Sequence, residues 1–271
     1  IIVLNPFVND SRVRKTAETI RRSGCRVRVV ALEAPGLPFA EVVDGIEVLR
    51  PRLRSRRLPR NALTRIISFL EFALRAAGSV RGSTIVWCND LGTIVMARIW
   101  RAFLLGKRRW VYDSHEMAIN DFPGEARGRI VAKYWLEKLS IGAADRVICV
   151  SPEIARAYAF LYGIRRPSIV LNCPPQADVL PSSRLRDRLG LRSDQRIFLY
   201  QGRLTKGRGI EALIDAFALR DGDADVVVFM GYGPMEETLR NRASGCPRIR
   251  LHPAVPPGDL LAWTASADYG L

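Results

Sequence analysis

Short apolar runs alternate with amphipathic stretches along the chain. Residues 1–4 (IIVL) read as a first strand. Asp10 or Ser11 can cap a helix to about Ser23, with Val13, Ala17 and Ile20 on one face. Residues 26–31 read as a second strand, and 42–48 as a hairpin turning at Asp44-Gly45. A helix over about 61–77 carries Ile66, Ile67, Leu70, Ala73 and Leu74 as its apolar face. Strands at 84–88, 109–113, 145–150 and 168–171 then alternate with helices at 91–105, 128–142 and 152–162. Such alternation predicts a doubly wound parallel sheet. A proline-bearing stretch, 173–183, lacks periodicity and reads as a linker. The pattern restarts beyond it, with strands at 197–200, 226–230 and 248–251 and helices near 185–189, 210–219 and 234–243. The expected fold is therefore α/β, with a Rossmann-like domain over 1–172 and the first part of a second one over 184–271. The chain begins directly in a strand and ends on what reads as another strand opening, Ala267 to Leu271, so further residues are expected after it.

The stretch 197–233 concentrates the candidate chemistry. The run IFLY leads into Gln201-Gly-Arg203-Leu-Thr-Lys206-Gly207-Arg-Gly209, then into a helix with Ile210, Leu213, Ile214 and Phe217 at helical spacing. The next run, VVVFM, ends in Gly231-Tyr-Gly233. Two parallel strands ending in glycine loops would open onto one sheet edge, where α/β proteins bind ligands. Arg203 and Lys206 would place positive charge beside a helix N-terminus, a setting suited to phosphate. The plainer alternative is that the glycines only make turns and the cations face solvent.

Composition narrows the classes. A chain of 271 residues can bury two cores of ordinary size, and no apolar run approaches eighteen residues. Five scattered cysteines, with no CxxC, fit buried free thiols in a reducing cytosol better than a disulfide scaffold. Lys plus Arg number 42 against 27 Asp plus Glu, a net charge of +15. Much of the excess falls on two clusters, Arg50 to Arg81 and Arg98 to Arg109. Such clusters suit nucleic acid, anionic lipid or phosphorylated substrates. No compact basic–aromatic motif supports nucleic acid, so that reading rests on charge alone.

Asp113-Ser-His115-Glu116 ends a predicted strand, so His115 is a candidate base or hydrogen-bond donor. No third ligand converges with His115 and Asp113, which argues against a metal site. Ser151 follows a strand and precedes a helix; it could donate to a phosphate or simply cap that helix. There is no GxSxG elbow, no Walker spacing and no GxGxxG after the first strand. Triad hydrolase, ATPase and nicotinamide enzyme therefore lack support. His252 after its strand reads as structural.

The segments VYDSHE (111–116), ADRVICVSPEIA (144–155), IVLNCPP (169–175), YQGRLTKGRGIEALIDAF (200–217), VVFMGYGPMEETLR (227–240) and IRLHPAVPPGDLLAWTASADYGL (249–271) together resemble the retaining two-Rossmann-domain (GT-B) glycosyltransferases of group 1, family 4. The resemblance implies two doubly wound domains facing a cleft and a nucleotide-sugar donor lying mostly against the second. It implies Arg203 and Lys206 on the donor diphosphate, Gly207, Gly231 and Gly233 close to the nucleotide, and His115 reaching the transferring sugar. Ser151 joins the donor side. Asn9, Asp10 and Asp113 fall on the acceptor side, although the amino-terminal loop lacks the paired glycines that many members carry there. The family's Glu-x7-Glu pair does not occur within 1–271. The implied reaction needs neither cofactor nor metal and forms the new bond with retained anomeric configuration. A role in cell-surface polysaccharide or glycolipid assembly follows from the resemblance, at a cytoplasmic site and with the basic first domain against an anionic membrane. The nearest rival is a nucleotide-sugar hydrolase or epimerase of the same build.

Overall fold

The computed structural model describes residues 1–8, 10–59, 61–103, 108–119, 125–173, 176, 178–256 and 258–271. Asn9 of the expected acceptor side, Arg60 of the first basic cluster, residues 104–107 within the second, and Pro174 and Pro175 of the segment 169–175 lie outside them. The chain divides into two compact units, Ile1–Cys173 and Pro174–Leu271.

In the first unit, α1 (Ser11–Arg22) is followed by β1 (Arg28–Val30), the hairpin β2 (Ala40–Val43) and β3 (Ile46–Leu49), and a short 3₁₀ turn, Arg54–Arg57. Then come α2 (Ala62–Ser79), β4 (Ile85–Cys88), α3 (Leu91–Phe103), β5 (Arg109–Ser114), α4 (Arg127–Ile141), β6 (Arg146–Cys149), α5 (Pro152–Tyr162) and β7 (Ser168–Ile169). Asp44 and Gly45 both take positive φ, 51° and 76°, as a two-residue hairpin turn demands. The predicted first strand contracts to Ile2, which bridges in parallel to Val30 on one side and Cys88 on the other. That residue joins β2–β3–β1 to β4–β5–β6–β7. The chain winds outward from Ile2 through β1, then returns to its other flank at β4. This reversal is a topological switch point, and ligands of open α/β sheets bind at the carboxyl edge there.

Alternation along the central strands sends side chains to both faces. Val3, Val29 and Ala31 pack with Val13 and Ala17 of α1. Ile2 and Val30 pack with Phe72, Ala73 and Ala76 of α2, Ile94 and Trp100 of α3 and Ala155 of α5. The apolar face expected for α2 needs correction. Of its five residues only Ala73 is buried; Ile66, Ile67, Leu70 and Leu74 are exposed. The helix carries two apolar stripes, and the one with Phe72, Ala73, Ala76 and Ala77 is the one buried in the core. Trp100 is buried against Trp110, whereas Phe103 is exposed.

The second unit runs α6 (Arg184–Leu189), β8 (Arg196–Arg203), α7 (Ile210–Ala218), β9 (Asp225–Tyr232), α8 (Glu236–Gly245), β10 (Ile249–Pro253), α9 (Leu260–Thr264) and β11 (Tyr269–Gly270). Its sheet is wholly parallel, in the order β10–β9–β8–β11. β9 is buried from Asp225 to Gly231, as a strand covered on both faces should be. Val227 and Phe229 meet Ile210, Ile214 and Phe217 of α7, while Val226, Val228 and Met230 meet Leu185 of α6. The winding reverses at β8, which places the second switch point beside that strand's carboxyl end. All five cysteines are free, but the expectation that they are buried holds only for Cys88 and Cys149; Cys25 and Cys173 are exposed and Cys246 is intermediate.

Candidate active site

In the first unit, His115 follows the last residue of β5, and the end of β4 supplies Asn89 next to it. Asn89 Nδ2 donates to the Ile2 carbonyl at 3.1 Å, which turns Oδ1 toward His115 Nε2, 3.2 Å away. The amide orientation makes Nε2–H the donor. Nδ1 then keeps its lone pair and has no partner among the described residues. Burial, only partly offset by Asp113, lowers the His115 pKa, so the ring is neutral near pH 7. Asp113 Oδ1 receives Arg12 Nη2 at 2.5 Å, and Oδ2 receives Trp87 Nε1 at 3.3 Å. Ser114 Oγ lies 2.7 Å from both the Glu116 carbonyl and the Tyr158 hydroxyl, and its one proton serves one of the two at a time. The Tyr158, Tyr112 and Tyr162 hydroxyls all donate to Glu137, at 2.5, 2.6 and 2.6 Å. Burial is the largest cause raising all three phenol pKa values and the adjacent Glu137 adds to it in each, so each remains a donor. Asn89, Asp90, Ser114 and His115 open on a cavity of ≈ 470 Å³ that Leu4 closes on one side. Burial raises the Asp90 pKa.

In the second unit, β8 extends past its predicted end to Arg203, pairing residue by residue with β9 as far as Tyr232. A Cβ on Gly231 would sit 1.8 Å from the Gly202 carbonyl oxygen, and one on Gly233 would sit 2.3 Å from that of Leu204. Gly231 and Gly233 are thus required by the close passage of two backbones, a cause internal to the protein. Leu204, fully buried, anchors the loop; its N–H donates to the Tyr232 carbonyl and its carbonyl accepts from Met235. Gly207 and Gly209 take φ of 80° and 74°, turning the loop into α7. Gly209 caps that helix without a side-chain hydrogen bond. Arg203 and Lys206 stand exposed on either side of Leu204, and no carboxylate pairs with either among the described residues. A cavity of ≈ 560 Å³ lies at the ends of β9 and β10, lined among others by Gly231, Glu236, Arg240 and His252. His252 itself is buried, bonded through Nδ1 to the Pro253 carbonyl and packed on Trp263.

The family model described as "Glycosyl transferase 4-like domain" matches residues 10–175, more than half of the chain. The chain belongs to this family. A D-inositol 3-phosphate glycosyltransferase of Xylanimonas cellulosilytica is 25% identical over 291 residues, covering 94% of this chain and 67% of the relative. A putative teichuronic acid biosynthesis glycosyltransferase, TuaC of Bacillus subtilis, is 29% identical over 136 residues, 49% of this chain and 34% of the relative. Among solved structures, sucrose-phosphate synthase from Thermosynechococcus elongatus superposes with a TM-score of 0.75 at 18% identity, covering 99% of this chain and 73% of that one. Anabaena HepE in complex with UDP gives 0.66 at 15% identity, with 99% and 72% covered. At these identities the likeness shows the fold, which is GT-B with two parallel-sheet domains.

In this glycosyltransferase several candidates from sequence have other occupations. Asp113 is 2% exposed and has both oxygens engaged, one holding Arg12 and the other Trp87. Asp10 caps α1 through Val13 N–H and takes Asn5 Nδ2 on its other oxygen. Ser151 caps α5 by accepting from Ile154 N–H, with Pro152 at the first helical position. Arg50, counted in the basic cluster, is buried against the Pro6 carbonyl and Glu41. Sequence reasoning passed over Arg12, Asn89, Trp87 and Glu137. Periodicity gave a signal only for the last, since Glu137 stands at a core position of α4 and Tyr158 and Tyr162 are one turn apart on α5.

Proposed function

We propose that this protein moves a sugar from a nucleotide-sugar donor to an acceptor with retention of anomeric configuration, in the assembly of a cell-surface polysaccharide or glycolipid. The observation that carries the reading is the loop after β8. Two exposed cations without carboxylate partners flank a buried leucine at a switch point, ahead of a helix that a glycine caps. A diphosphate fits that chemistry, since backbone N–H groups and fixed positive charge both favour it. HepE has been solved with UDP and with UDP-glucose, and TuaC is named for teichuronic acid biosynthesis, which supports both halves of the reading.

Charge grows on the leaving diphosphate as the glycosidic bond breaks. Arg203 and Lys206 stabilise that charge more in the transition state than in the ground state. The leaving oxygen takes the acceptor's proton on the same face, so the scheme uses neither a protein nucleophile nor a metal. His115 Nδ1 accepts a hydrogen bond from a hydroxyl of the transferring sugar. The enzyme works on the cytoplasmic side, with the basic first unit against an anionic membrane surface. Arg203→Ala and Lys206→Ala should each lower donor turnover by about 10²-fold or more. NMR of the product's anomeric proton should show the donor's configuration. Wild-type turnover in both variants, or release of free sugar or an isomer in place of a glycoside, would sink the reading.

A further inference from the structure

A second cavity, ≈ 570 Å³, lies along the same carboxyl edge of the first unit and shares Leu4 with the His115 cavity. Its volume is in the ~300–1,000 Å³ range of ligand pockets. Leu4, Leu32 and Leu53 follow the ends of the Ile2 bridge, β1 and β3, and with Phe69 and Phe72 of α2 they form an apolar floor. Arg56 and Arg65 also line the cavity, with Thr64 and Ser68, and among the described residues no acidic one does. Arg56 meets Glu33 only at 3.7 Å, and Glu33 already accepts from Leu53 N–H. Arg65 pairs with no carboxylate among the described residues. Ser55 also lines the cavity and is 6% exposed. Its Oγ faces the Glu71 carboxylate, which its N–H also meets. Glu71 is taken up by the Arg54 and Ser55 N–H groups and by Arg75.

Two guanidiniums beside apolar side chains select an anion joined to a hydrocarbon. We infer that this cavity binds an amphipathic phosphate ester, with the phosphate on Arg65 and Arg56 and the chain on Phe69, Phe72 and the leucines. Placed beside the His115 cavity, it is the acceptor site. That role rests on the glycosyl-transfer reading above, whereas the binding itself does not.

The test is calorimetry with decyl phosphate below its micellar concentration, set against decanol and glucose 6-phosphate. Decyl phosphate should bind at least about tenfold tighter than either. Arg65→Ala should weaken it about tenfold or more, and Arg65→Lys less. Circular dichroism melts of the same proteins should coincide, which shows that the variants are folded, and UDP titrated into the wild type reports separately on the donor reading. Equal binding of decyl phosphate by wild type and Arg65→Ala overturns the site. Glucose 6-phosphate binding as tightly as decyl phosphate overturns the lipid-like class in favour of a soluble phosphate. If UDP fails to bind wild type while decyl phosphate behaves as expected, the donor reading falls and this site stands.

Discussion

At the scale of single residues, the strongest constraints are steric and protonic. Gly231 tolerates no Cβ, because the obstacle is the backbone of Gly202 and not a side chain that could rotate away. Gly231→Ala should therefore cost the second unit about 3 kcal/mol or more, read from the urea midpoint, with UDP binding weakened alongside. A wild-type midpoint would show that β8 and β9 can spread without loss. His115 makes a pH prediction. Its folded pKa lies below the ordinary 6.5, chiefly through burial. Between the two values the unfolded chain binds more protons than the folded one, so the stability that neutral His115 contributes is complete above pH 6.5 and is lost as pH falls through that value toward the folded pKa. The same protonation turns Nδ1 from acceptor to donor. The acid limb of kcat/KM should lie below pH 6.5 and be absent from the residual activity of His115→Asn. The chain holds two histidines, so a single variant assigns the imidazole resonances for direct titration. A His115 titration midpoint above 6.5 would refute the argument.

At the scale of elements, β5, α4 and α5 are tied together by one buried carboxylate. Glu137 is fully buried and takes three phenol donors, two from α5 and one from β5. Tyr158 passes the link on to Ser114, the residue before His115. Glu137→Ala would leave three hydroxyls without their acceptor and should destabilise the first unit by about 3–5 kcal/mol, whereas Glu137→Gln, which keeps one acceptor oxygen, should cost less. Thermal melts with circular dichroism decide it, and equal losses in the two variants would mean that the one acceptor oxygen of glutamine counts for nothing and that the network needs the whole carboxylate. This network also shows what sequence can and cannot convey. The alternation of strands and helices was legible because period-2 and period-3.6 patterns are local. So was the β8 loop, because glycine and lysine at fixed offsets are local too. The contacts Arg12–Asp113 and Asn89–His115 span 101 and 26 residues, and no local pattern encodes which distant side chain completes a pair. The first strand was overestimated because IIVL has ample strand propensity, whereas Ile2 alone makes the bridges. For α2, periodicity found one of two apolar stripes but could not choose the buried one; the alanines beside Phe72 were the better guide, since small residues permit close approach of helix to sheet.

At the scale of the whole molecule, the exposed stripe of α2 and the excess of positive charge belong to one argument. Among the described residues, no helix is long and apolar enough to cross a membrane. Yet Leu63, Ile66, Leu70 and Leu74 are 64%, 57%, 49% and 69% exposed, on one side of a single helix. The 3₁₀ turn that Glu71 fastens to this helix adds Arg54, Arg56 and Arg57, all exposed, and the chain carries a net charge of +15. Apolar side chains beside arginines match an anionic bilayer surface, into which such a stripe sinks while the cations meet the headgroups. Each arginine near the surface contributes about 1 kcal/mol and is screened beyond a Debye length of about 8 Å at physiological salt. The protein should therefore sediment with vesicles containing phosphatidylglycerol at low salt. At about 0.5 M salt it should release partly but not wholly, because screening weakens the attraction of the arginines and leaves the apolar insertion in place. Leu70→Asp with Leu74→Asp should abolish the salt-resistant fraction, and Arg54→Glu with Arg57→Glu the salt-sensitive one, both with UDP binding intact. No sedimentation of the wild type at low salt would remove the membrane from this enzyme's surroundings and leave the stripe without that explanation.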